Sequence, residues 1–129
     1  MDDHIFSVGE ANSLLPQLEV FLTQIQKARR FLYEIREEIQ KARAKADFGG
    51  GSPKGPSYLK SLEFIIKRLE KIQSMGVLVK DIERGLCDFP FMRDGEMVYL
   101  CWKLGESEVE WWHSTDTGFS GRKHLDHDE

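Results

Sequence analysis

Between Glu10 and Ala46 the apolar residues fall into a seven-residue rhythm. Ala11, Leu18, Ile25, Leu32, Ile39 and Ala46 recur at one position, and Leu14, Phe21, Ala28, Ile35 and Ala42 fill a second position between them. That period places both sets on one stripe of a long helix with a coiled-coil-like packing face. Ser7 and Glu10 stand at capping-box spacing, with Phe6 and Ala11 placed as a hydrophobic staple. Pro16 is discordant. It lies too deep for a first turn and predicts a kink or break near Asn12.

The rhythm stops at "DFGGGSPKGP", which can only be a loop. Its glycines do not make a phosphate cradle, because no strand precedes them and no Gly-Lys-Ser/Thr follows. A second helix is predicted over Ser57 to Ser74, with Tyr58, Leu62, Ile65, Leu69 and Ile72 on one stripe and Leu59 and Ile66 widening it. The two helices should fold back as an antiparallel hairpin. At 1.5 Å per residue the first would span about 55 Å and the second about 27 Å, so the second covers only part of the first. Leu14, Leu15, Leu18, Phe21, Leu22 and Ile25 then need a cover from the rest of the chain.

Beyond Gly76 the period changes to two. "VLVKDI" (77–82), "LCDFPFM" (86–92), "MVYLCWK" (97–103) and "EVEWWH" (108–113) read as strands, and Asp94-Gly95 between the second and third is a strong hairpin signal. With that turn, Arg93 pairs with Glu96, Phe91 with Val98 and Phe89 with Leu100. Alternation puts Cys87, Phe89, Phe91, Val98, Leu100 and Trp102 on one face, and continuing it adds Val109, Trp111 and His113. The other face receives Asp88, Pro90, Met92, Met97, Tyr99, Cys101, Lys103, Glu108, Glu110 and Trp112. The apolar set is the missing cover. The expectation is one α+β domain over 1–129, built of a long antiparallel helical hairpin (1–76, loop 47–56) and a three- or four-stranded antiparallel sheet (within 77–122). The sheet packs on the N-terminal half of the first helix, and 123–129 form a flexible tail.

The blocks "FSVGEANSLLP", "GVLVKDIERGLCDFP", "YLCWKLGE" and "WHSTDTGFSGR" carry a family resemblance over nearly the whole chain except the glycine loop and the last few residues. Its specific elements are Leu100-Cys101-Trp102 with Gly105-Glu106, and Trp112-His113 with Gly118-Phe119 and Gly121-Arg122. The sequence resembles a small bacterial family catalogued as domain of unknown function 2203. The resemblance implies a single-domain cytosolic bacterial protein and transfers no catalytic residues.

Composition narrows the function classes. The chain has 129 residues, a net charge of −4 and 31% charged residues, which suits much solvated helix surface. The charge is uneven. Residues 1–76 hold 12 Lys/Arg against 10 Asp/Glu, and residues 77–129 hold 6 against 12. The basic residues from Lys27 to Lys71 are interleaved with acids, and the isoelectric point near 5.6 argues against nucleic acid. No run approaches the roughly 18 apolar residues of a membrane span. The N-terminal "MDDHIFSVGEAN" lacks a basic-then-apolar leader, and two cysteines without an export signal read as reduced thiols. The expected location is the cytoplasm.

No motif names a reaction. Gly-x-Ser-x-Gly, Cys-x-x-Cys and His-Glu-x-x-His are all absent from the sequence. Of the two thiols only Cys87 is expected to share a face with His113, deep in the core, which weighs against a cysteine nucleophile. Cys87 and Cys101 point to opposite faces and cannot bridge. The candidate ligand-binding residues are His113, Asp116, Arg122, Glu10 and Glu106. His113 is a polar group on a core face and needs a partner, Arg122 follows Gly118 and Gly121, and Glu106 sits on a hairpin tip. Arg122 could meet an anion or anchor the C-terminal loop on a carboxylate such as Asp116. A divalent metal ion at His113 and Asp116 is the candidate cofactor. Asp88 opposite Cys101 is an arrangement that could also bind a metal, though such a pair more often meets solvent. His124 and His127, in "HLDHDE", form a weaker metal pattern near the chain end. The leading expectation is a non-catalytic binding or assembly module, a homodimer that associates through its helices. The alternative is a small enzyme or a metal- or anion-binding protein with a site around His113, Asp116 and Arg122.

Overall fold

The computed structural model describes residues 4–44 and 55–125. Helix α1 spans Val8–Ala44 and α2 spans Gly55–Ser74. Five antiparallel strands follow in one sheet of order β1-β2-β3-β4-β5: Leu78–Asp81, Leu86–Arg93, Glu96–Lys103, Trp111–His113 and Lys123–His124. A single turn of 3-10 helix, Phe119–Gly121, precedes β5. The class is α+β, with five strands where the periodicity marks three or four. The added strand is only two residues long and lies where the sequence suggests a tail. Two residues are too few to show an alternation. Residues 47–54 of the expected loop, Ala46 and His127 lie outside the described residues, while Gly55 and Pro56, expected in the loop, already belong to α2.

Helix α1 starts where the capping box puts it. The Ser7 N–H donates to Glu10 Oε1 (3.0 Å), and the Glu10 N–H donates to Ser7 Oγ (3.1 Å). That backbone hydrogen bond from Ser7 is the main reason the exposed Glu10 carboxyl lies below its ordinary pKa. The helix runs through Pro16 without a break. Proline leaves the Asn12 carbonyl without its usual donor, yet the buried stripe on either side, Ala11, Leu15, Leu18 and Leu22, supplies packing that outweighs one lost bond. The buried positions are Ala11, Leu15, Leu18, Leu22, Ile25 and Ile35. Ile35 is buried where the heptad puts it, but nearer the N-terminus the second position is Leu15 and Leu22, with Leu14 and Phe21 partly buried at its flank. A stripe that must meet a sheet as well as a helix is wider than a two-helix seam.

Numbers fall along α1 as they rise along α2. Tyr58 lies with Leu32 and Arg36 around one depression, while Arg68 Nε–H donates to Gln24 Oε1 (3.1 Å). Arg68 also stacks over Phe64, 3.7 Å from the ring centroid.

The β2–β3 pairing has the expected register throughout, from Leu86↔Lys103 to Arg93↔Glu96. Its turn residues Asp94 and Gly95 both have positive φ (51° and 81°), as a two-residue primed turn requires. Cys87, Phe89, Phe91, Val98, Leu100 and Trp102 therefore face the helices and join Leu15, Leu18, Leu22 and Ile25 in one core.

Strand β4 differs from expectation by one residue. Tyr99 pairs with His113, Leu100 with Trp112 and Cys101 with Trp111. His113 and Trp111 therefore lie on the face of Asp88 and Cys101, and Trp112 takes the helix-facing position. Val109 does reach the core, as expected, but it is not in the ladder. Its N–H donates instead to Asn12 Oδ1 on α1 (2.7 Å). Alternation cannot be carried from Val109 to Trp111, because the chain re-enters the sheet only at Trp111.

The two tryptophans should consequently differ in energetic weight. Trp102 is fully buried, so Trp102→Ala should cost about 3–5 kcal/mol. Trp111 is half-buried and contacts Arg122 and His124 by its ring. Its loss should cost about 1–2 kcal/mol. Denaturant unfolding of both variants checks the order, and equal losses would contradict the assignment of β4.

Candidate metal centre

Two polar or charged side chains are buried among the described residues, Asp88 (3% exposed) and His113 (4%), and they bond each other. Asp88 comes from β2 and His113 from β4, on either side of β3, with Cys101 between them. His113 Nδ1 lies 2.8 Å from the Ser114 carbonyl oxygen. A carbonyl can only accept, so Nδ1 carries the hydrogen and Nε2 is turned inward. Nε2 stands 3.0 Å from Asp88 Oδ2. A bare imidazole lone pair and a carboxylate would repel at that distance. The position between them requires a proton or a cation.

Cys101 Sγ completes the group. The donor atoms of Asp88, Cys101 and His113 all lie within 4.8 Å of one another. Tetrahedral ligands at about 2.0–2.3 Å from zinc stand roughly 3.3–3.7 Å apart, so a slight parting of Nε2 and Oδ2 with a small approach of Sγ would close the set. The carbonyl on Nδ1 is the outer partner that holds a metal-ligating histidine in one tautomer.

The electrostatics follow from burial. Loss of water pushes the Asp88 carboxyl above the usual carboxylate range, against the opposing pull of the His113 bond and charge and of Lys80. Burial likewise raises the Cys87 thiol to about 12 and the Cys101 thiol to about 11. Both histidine nitrogens are committed, to Ser114 and Asp88, so the trio is not a Cys–His dyad. It is nevertheless Cys101, not Cys87, that shares the face of His113, which corrects the expectation from sequence.

Arg122 and Glu106 come together at the neighbouring edge. Arg122 donates from Nη1 and Nη2 to Glu106 Oε1 (3.2 Å) and Oε2 (2.7 Å). Its guanidinium lies between Trp111 and Phe119, at 4.6 and 4.2 Å from the ring centroids. Glu106 Oε1 also accepts the Lys103 N–H (2.8 Å), and its carbonyl accepts Trp102 Nε1–H (2.9 Å). Arg122 thus anchors the C-terminal segment on a carboxylate, but on Glu106, not Asp116. Its positive charge also opposes the rise that burial causes in the Cys101 thiol. Gly121 is needed for packing, because a Cβ there would stand 2.7 Å from Thr117 Cβ.

The remaining expected residues lie elsewhere. Asp116 is exposed on the turn after β4, while the buried partner of His113 is Asp88. Glu10 stays in its capping box, 3.3 Å from His4 Nε2. His124 pairs with Glu110 (3.2 Å) on β5. Sequence reasoning noticed Asp88 opposite Cys101 but expected solvent there, and it did not single out Lys80. The signal for Lys80 was hidden, because it occupies an irregularity between Val79 and Asp81 where β1 loses register with β2.

Thiol chemistry provides a test. At pH 8 a thiol of ordinary pKa 9.0 is about one-tenth thiolate, whereas one raised to about 11 is about one-thousandth. With a chelator present, iodoacetamide should therefore label Cys101 in the folded chain about a hundredfold more slowly than in the unfolded chain, with Cys87 slower still. Rapid native labelling of Cys101, or an intramolecular disulfide by non-reducing mass analysis, would contradict the geometry.

No curated protein and no solved structure matches the chain. Residues 4–125 match the family described as uncharacterized conserved protein DUF2203, and the chain therefore belongs to that family.

Proposed function

We propose that this protein binds a divalent transition-metal ion of the zinc class through Asp88, Cys101 and His113. The observation that supports it is the convergence of three donor atoms within 4.8 Å, with His113 Nδ1–H held by a carbonyl so that Nε2 faces inward. A donor set of one thiolate, one imidazole and one carboxylate suits Zn(II) and its Co(II) surrogate, and does not suit the oxygen-seeking Mg(II) or Ca(II). The metal would deprotonate Cys101 despite its raised pKa, since a bound cation inverts the local preference. It would also replace the proton between Nε2 and Oδ2. Retaining buried charge costs stability, and such groups are concentrated at functional sites. With three protein ligands the ion keeps a position for a further group, the arrangement of reactive and ligand-exchanging zinc sites.

Calorimetric titration of chelator-treated protein with Zn(II) should show one equivalent bound. Cys101→Ser and His113→Gln should each weaken binding by at least about a hundredfold, since loss of an outer-shell partner already costs ten- to a hundredfold. Asp116→Asn should bind as the parent does. Unchanged affinity in the Cys101 and His113 variants would refute the site, and a large loss with Asp116→Asn would restore the site expected from sequence.

A second reading, self-association through the helices, has its own support. Val20, Phe31, Leu59, Leu62 and Ile66 are 38–65% exposed on α1 and α2, a larger set of uncovered apolar side chains than the sheet leaves. Sedimentation at tens of micromolar should give a dimer that Leu59→Glu with Ile66→Glu converts to monomer. A monomeric parent would remove this reading and leave metal binding untouched.

A further inference from the structure

Asp88, Cys101 and His113 line the wall of one cavity of about 200 Å³, together with Lys80, Tyr99, Thr117 and Phe119. Each of the first four strands contributes to it: Lys80 from β1, Asp88 from β2, Tyr99 and Cys101 from β3 and His113 from β4. Lys80 lies at the mouth, solvent-exposed, with its ammonium 5.7 Å from the centroid of the Tyr99 ring. The irregularity of β1 at this residue is the kind of local bulge that re-aims a side chain.

Charge counting identifies what the cavity would hold. A divalent ion with one thiolate and one carboxylate is neutral, and neutral His113 adds nothing. Arg122 is matched by Glu106. Lys80 then leaves the cavity lining with one positive charge that no other lining group matches. One small singly charged anion would neutralise that charge, whereas a dianion would leave a net negative charge in a partly desolvated cavity, which is costly. The polar rim is right for such a ligand, since an ammonium donates to carboxylate oxygens and Thr117 lines the same wall.

We infer that the cavity binds a small monocarboxylate, one oxygen on the metal and the other on the Lys80 ammonium. This rests on the metal reading above. It extends that reading by naming the ligand class and the residue that selects it.

The experiment uses the full chain loaded with Co(II), whose visible bands report coordination directly. The metal reading requires thiolate-to-Co(II) charge-transfer and d–d bands before any anion is added. Titration with acetate should then shift the d–d bands saturably. Lys80→Met should keep the starting spectrum but bind acetate at least about tenfold more weakly, the loss expected for a charged hydrogen bond. Lys80→Arg should restore most of the affinity. Inorganic phosphate should bind more weakly than acetate.

If Co(II) produces no bands, the metal reading fails and takes the carboxylate site with it. If the bands form but acetate leaves them unchanged, the metal reading stands and the carboxylate site is wrong. Equal acetate affinity in Lys80→Met, or tighter binding of phosphate than acetate, overturns the inference in the same way.

Discussion

The two-residue turn at Asp94-Gly95 is the constraint on which the rest of the molecule depends. Because side chains alternate along a strand, a slip of one residue in the β2–β3 pairing would exchange the two faces. The turn fixes Arg93 opposite Glu96, and the strands then carry that register outward to Cys87 opposite Trp102. On one side this delivers Phe89, Phe91, Leu100 and Trp102 to α1. On the other it brings Asp88 and Cys101 side by side. The core and the proposed site are two faces of one register, so neither can shift without the other.

The second determinant is a long-range one. Asn12 on α1 accepts the Val109 N–H, and this ties the connection between β3 and β4 to the helix. Val109 satisfies its backbone away from the sheet while its side chain fills the core. The strand that begins at Trp111 can then start on either parity, and it starts on the one that turns His113 toward Asp88. A single side-chain amide, 97 residues away in sequence from the group it holds, accompanies the placement of the only buried histidine among the described residues.

That contrast explains what could be read from the sequence and what could not. The capping box at Ser7 and Glu10, the two helices, the β2–β3 register and the separation of the two thiols all rest on local rules, and these appear as expected. The face of β4 depends on a tertiary bond, and alternation carried from Val109 put His113 and Trp111 on the wrong side. The burial of Asp88 was missed for the same reason. Without His113 beside it, an aspartate opposite Cys101 has no reason to leave water. Arg122 was read as either an anion site or an anchor on a carboxylate such as Asp116; the carboxylate it meets is Glu106, which Lys103 and Trp102 hold in place. Strand β5, only two residues long, has no periodic signature at all.

The arrangement also divides labour between rigid and exchangeable parts. Glu106 and Arg122 neutralise each other and are clamped by Trp111 and Phe119, so they secure the C-terminal segment without adding charge to the cavity. Asp88, Cys101 and His113 sit on three adjacent strands whose spacing is set by the backbone ladder, which suits a site that must hold its geometry when an ion enters. Lys80 differs from all of these. It stands exposed on the first strand, at the point where the ladder is irregular, and its flexible stem can follow a ligand that comes and goes. Fixed donors beneath and one exposed cation above suit the proposed capture of a small anion, because the fixed groups would set where it binds and the exposed charge which anion stays.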